Sequence, residues 1–166
     1  MCTLKTHIQR TIDALGYKDL RDALKRHPHC DIVNYNYNSA VSGMKISIQG
    51  KCVDDSIWLY DKLSRYLHDN EIGFKLGTAE RIGLDGNDLY DKYSPEYLRE
   101  QSHKLMTIYC PLNMEFSALC ETVYELTKEY RGWYDVPTPS SYEHYAGGLY
   151  TRRDLDENGN YIPANR

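Results

Sequence analysis

The chain predicts a single α+β domain, with a mainly antiparallel or mixed sheet and flanking helices. Three observations carry this. Helical periodicity and strand alternation come in the order helices, strand–helix–strand, loop, strand–helix, which is not the regular β–α repetition of a parallel sheet. The 166 residues are the length of one domain with one substantial core. No internal repeat, linker or compositional break divides them.

Taken in order, residues 4–15 place Leu4, Ile8, Ile12 and Leu15 near one helical face, and Gly16 is placed to stop the helix. Residues 18–27 carry Leu20, Ala23 and Leu24 before "HPH" breaks the pattern. "DIVNYNYN" and "GMKISIQG" alternate as strands. In the second, Met44, Ile46 and Ile48 face a core while Lys45, Ser47 and Gln49 point the other way. Asp54 or Asp55 is expected to cap a helix to about Asn70, with Ile57, Leu59, Tyr60, Leu63 and Leu67 as its core face. "IGFKLG" (72–77) is a short strand, and 78–94 a long loop with a brief helical turn. Pro95 suits the first position of a short helix, and "KLMTIYC" (104–110) is a strand halted by Pro111. A helix at about 113–130 follows, then irregular chain with one or two short strands near 142–151. Residues 1–42 read as a helical N-terminal extension and 43–163 as the core of the domain.

Composition narrows the partners. The chain is 41% hydrophobic and 27% charged with net charge −4 and no basic block, which argues against a nucleic-acid duplex. No run approaches the roughly 18 apolar residues of a membrane span. "MCTLKTHIQRTIDALG" lacks the apolar region of a signal peptide. Five cysteines without C-x-x-C spacing fit free thiols in a reducing compartment, so a cytoplasmic location is expected, in its own cell or a host's. Sixteen tyrosines against two phenylalanines point to rings with a wet edge, lining a cleft or half-buried in the core.

Four stretches, "GMKISIQG", "DNEIGFKLGTAERI", "SHKLMTIYCP" and "YEHYAGGLYTRRDLDENGNYIP", occur in order across residues 43–163. Together they resemble the N-terminal lyase region of class III lanthipeptide synthetases and, more distantly, the phosphothreonine lyases that bacteria inject as effectors. "GFK" and "KLMTIYCP" are the most specific parts. The resemblance implies β-elimination of phosphate from phosphoserine or phosphothreonine in a peptide or protein, without metal or organic cofactor. Such chemistry needs a neutral base for the Cα proton, several cations on the phosphate, and an acid for the leaving group. The resemblance puts Lys45 at the base position. It makes Lys75 a phosphate ligand, Lys104 and Tyr109 members of the pocket or its surroundings, and Arg152 and Arg153 the late arginines. The family's acid histidine is Ser47 here, a poor general acid. His103 and His144 lie in matching segments as substitutes. The alternative is a non-catalytic binder of a phosphorylated ligand, a phosphoprotein or a nucleotide, using the same cations.

Each signal also has a plainer reading. Lys45 and Lys75 stand on polar strand faces, where solvated lysines are common, and they meet only if their strands are brought together. Arg81 either guards the pocket or forms a surface ion pair with Glu80 or an aspartate of the next loop. Adjacent Arg152 and Arg153 point to opposite strand faces, so at most one enters a given site. "DLDENG" copies the start of a calcium loop, but position 12 would be Asn165 rather than a glutamate, and an Asn-Gly turn is the better reading. His27, His29 and Cys30 lack a second ligand pair at zinc spacing. The pairs Tyr35/Tyr37 and Tyr142/Tyr145 either stack on a planar ligand or form one face of a strand.

Overall fold

A computed structural model describes residues 6–35, 40–86 and 92–163. Leu4, Tyr37 and Asn165, which enter the readings above, lie outside the described residues. Six helices and six strands follow in the order α1 (His7–Ala14), α2 (Leu20–Arg26), β1 (Asp31–Asn34), β2 (Val41–Gln49), α3 (Val53–Asp69), β3 (Phe74–Gly77), α4 (Ala79–Ile82), α5 (Pro95–Ser102), β4 (Lys104–Pro111), α6 (Phe116–Thr127), β5 (Glu143–Ala146) and β6 (Leu149–Arg153). The strands form one open antiparallel sheet in the order β1-β3-β4-β2-β6-β5. The domain is α+β, as the element order predicts. Among the described residues no helix is long and apolar enough to cross a membrane.

Pairing fixes which residues share a face. Asn34, Phe74, Ile108, Ile46 and Thr151 form one row across five strands; Ile32, Leu76, Met106, Ile48 and Leu149 form the next. These rows are almost wholly apolar and pack in one core with Leu59, Leu63 and Leu67 of α3 and Leu119 and Val123 of α6. Ile8, Ile12, Ala23 and Leu24 of the two N-terminal helices join the same core, and β1 completes the sheet edge. The buried exception, Asn34, uses its side-chain oxygen to accept from Ile8 N at 2.9 Å, tying α1 to β1.

The opposite face carries Lys75, Thr107, Ser47 and Tyr150 in one row and Tyr109, Lys45 and Arg152 in another. Two irregularities shape it. Between the pairs Ile48–Met106 and Gln49–Lys104, β4 spends one extra residue, Leu105. This bulge reverses the alternation, so Lys104 shares the face of Gln49 instead of that of Met106. Between Val41–Pro111 and Lys45–Tyr109, β2 spends extra residues around Gly43, whose φ is +89°. A Cβ there would lie 2.8 Å from Leu155 Cβ, so glycine admits both the conformation and the close approach of the chain after β6.

Element ends differ modestly from expectation. Cys52, not Asp54 or Asp55, is the N-cap residue of α3; Asp55 at the third helical position reaches back to Cys52 N, the reciprocal half of a capping box. The last helix begins at Phe116 rather than near 113.

Candidate functional site

On the polar face a pocket of about 190 Å³ is lined by Lys45, Lys104, Arg152, Tyr142, Tyr161 and Glu100, among others. Three strands deliver the cations: β2 presents Lys45 beside Arg152 of β6, and the Leu105 bulge turns Lys104 of β4 towards them. The ring of Tyr142 stands between the lysines, 4.9 Å from Lys104 Nζ and 5.7 Å from Lys45 Nζ. The Arg152 guanidinium lies 5.4 Å from the Tyr161 ring.

Asp154 is the counter-ion. One carboxylate oxygen is 3.1 Å from Lys45 Nζ and the other pairs with Arg152, which also donates to Ile162 O. The "DLDENG" turn fixes its position. Asp154 N donates to Gly43 O at 2.6 Å, Leu155 bridges Tyr161, and Ile162 N returns to Asp154 O at 2.7 Å. Asp156 of that turn accepts from Asn158 N and Asn160 N, both at 2.9 Å, so its carboxylate closes its own loop. Gly159 takes the positive φ the Asn-Gly turn needs.

The electrostatics follow from burial among like charges. Burial, then Lys45 and Arg81, bring the Lys104 amine down to about 7; Lys75 adds to this and Asp31 opposes it. The Lys104 amine donates to Gln101 Oε1 at 3.4 Å. Lys45 is also lowered, by burial first, with Arg152 and Lys75 acting in the same sense and Asp154 pulling the other way. Among the described residues no carboxylate ion-pairs with Lys104, whereas Lys45 has one in contact. Lys104 is therefore the amine best placed to be neutral near pH 7.

The remaining expected site residues divide. Lys75, opposite Thr107, lies 6.0 Å from the Tyr109 ring and close enough to bear on both lysines. Tyr109 sits beside Lys45 across the ladder and packs edge-on to Tyr35, its phenol held far above the ordinary range chiefly by burial. Arg81 is committed elsewhere. It grips both oxygens of Asp31 on β1, at 3.0 and 2.8 Å, and donates to Gln101 O at 3.0 Å. Among the described residues, neither Glu80 nor Asp85 is that partner. Its charge still bears on Lys104. Arg153 is exposed and, unlike Arg152, is not part of this pocket, as strand alternation requires.

Ser47 is fully buried, and its hydroxyl donates to Gln49 Oε1 at 3.1 Å; Gln49 in turn donates to Pro137 O at 3.1 Å. It thus ties the sheet to Pro137 through Gln49 and does not line the pocket. His103 Nδ1 donates to Gly50 O at 2.7 Å, and His144 Nε2 to Gly147 O at 2.8 Å on edge strand β5. Neither histidine lines the pocket. Sequence reasoning missed Asp154 and Tyr161 as members of the site, and offered Tyr142 only with Tyr145, as a pair that either stacks on a planar ligand or forms one strand face. The only signal was that Asp154 follows the two arginines; what brings it to Lys45 is β2–β6 pairing across the whole chain.

No protein-family model and no curated protein sequence matches this chain.

Proposed function

We propose that this pocket binds the phosphate of a phosphoserine or phosphothreonine side chain in a peptide or protein, and that the domain eliminates it in the manner of the phosphothreonine lyases. The observation that carries the reading is the convergence of Lys45, Lys104 and Arg152 on one small pocket, with Lys75 close by. The charges of Lys45 and Arg152 at the cavity, with Lys75 close by, suit a dianion. Lys104, brought to about 7, is the group able to take the Cα proton at neutral pH. Lys45 and Arg152 neutralise the charge that develops on the leaving phosphate. Lys45, which the resemblance puts at the base position, acts here on the phosphate instead, because its carboxylate contact favours the ammonium form.

Incubation with phosphothreonine and phosphoserine peptides followed by mass spectrometry tests this. Loss of the elements of phosphoric acid is the expected result, with a dehydroamino acid left in the peptide. Loss of HPO3 would mean hydrolysis, and an unchanged peptide would remove the enzymatic reading.

A second reading is supported by the burial of Ser47 and by the two histidines lying outside the pocket. In it the domain recognises a phosphorylated ligand, a phosphoprotein or a nucleotide, without turnover. Calorimetric binding with no change in peptide mass would select it.

A further inference from the structure

Tyr142 brings to the pocket one polar atom without a partner. Its phenolic oxygen is buried and, among the described residues, makes no hydrogen bond. Buried hydroxyls are nearly always paired, because an unpaired one has given up its hydrogen bonds to water for nothing. The cations nearest its ring offer it no acceptor. Lys45 and Lys104 stand over the ring and Arg152 lines the same pocket. An ammonium or a guanidinium has donors and no acceptor. Burial, then Asp154, hold the phenol above its ordinary value against the opposing pull of Arg152 and Arg81, so it keeps its proton at any working pH. The nearby carboxylates are engaged elsewhere, Glu100 accepting from Ser140 N at 3.0 Å and Asp154 pairing with Lys45 and Arg152, so the phenol is left as a donor for an incoming anionic oxygen.

We propose that the Tyr142 phenol donates to the ester oxygen of the bound phosphate monoester and takes the proton-donor place that Ser47 leaves empty. The inference rests on the phosphate-binding reading above. In the reaction, neutral Lys104 Nζ takes the Cα proton, and the C–H electron pair becomes the Cα=Cβ bond. The Cβ–O bond breaks with its pair on oxygen, and the Tyr142 proton passes to that oxygen. Hydrogen phosphate and a dehydroamino acid result. The phenolate then recovers its proton from the Lys104 ammonium, which restores both groups.

The test compares wild type with Tyr142→Phe, which keeps the ring against both lysines and removes only the hydroxyl. Inorganic phosphate and a phosphothreonine peptide are titrated calorimetrically into each, and thermal unfolding of both is recorded. The variant is expected to bind the phosphopeptide at least about tenfold more weakly, as for a lost hydrogen bond to a charged group. Its melting temperature is expected to be equal or higher, because the free protein loses no hydrogen bond. Turnover in the variant falls through kcat more than through KM. Equal binding and equal kcat overturn the role of Tyr142 and leave the phosphate site standing. A lowered melting temperature overturns it too, by showing that the hydroxyl supports the fold. If wild type binds neither probe, the site and the donor fall together.

Discussion

Lys104 is the residue on which the pocket turns. Its amine sits at about 7 in the folded chain against an ordinary 10.5. Between those values the unfolded chain carries the extra proton, so stability rises with pH across that window. Below pH 7 the full cost of burying the charge is in place. Lys104→Met is therefore expected to stabilise the protein by about 2–4 kcal/mol at pH 6 and by progressively less towards pH 10, as read by chemical denaturation at each pH. The same proton has opposite effects on ligand and on chemistry. Affinity for sulfate, a dianion throughout this range, should fall as pH rises through about 7, because the free site loses a cation. kcat/KM for elimination should rise through it, because the base becomes neutral. A titration of both quantities against pH separates binder from lyase.

At the scale of elements, two irregular ladders decide which side chains meet. The alternation of "GMKISIQG" and "GFKLG" showed which face each lysine would take, and both predictions hold. Lys104 is different, since its position in "KLMTIYC" puts it in phase with Met106 and Ile108, on the core face. Only the Leu105 bulge moves it, and a bulge is a property of the pairing with β2, not of β4 alone. Gly43 is the second device, and it bends β2 so that the segment after β6 can lie against it. Gly43→Ala would strain a left-handed backbone and press on Leu155. It is expected to cost about 1–3 kcal/mol, measured by urea denaturation, and to weaken phosphate binding by displacing Asp154.

At the scale of the whole molecule, the first thirty-odd residues are as much a part of the site as of the core. Asp31 on β1 holds Arg81, and the charge of Arg81 bears on Lys104. A local reading of "GTAERIG" offered only nearby carboxylates as partners. The real one lies fifty residues upstream, because β1 pairs with β3. Asp31→Asn leaves a largely buried guanidinium uncompensated, and a loss of about 3–5 kcal/mol is expected in denaturation experiments. The order of elements was legible because helices and strands here follow clear periods. The counter-ions were not, because Asp31 and Asp154 reach their cations only through long-range pairing.

Asp154 gives the pocket a character of its own. With one carboxylate shared between them, Lys45 and Arg152 already hold an anion of single charge. An arriving chloride or carboxylate ion offers those cations nothing they lack. A dianion offers more, and it also engages Lys104 and Lys75, which have no carboxylate in contact among the described residues. On the proposed reading the site would discriminate by valence before shape, its resident carboxylate setting the threshold that a ligand's charge must exceed.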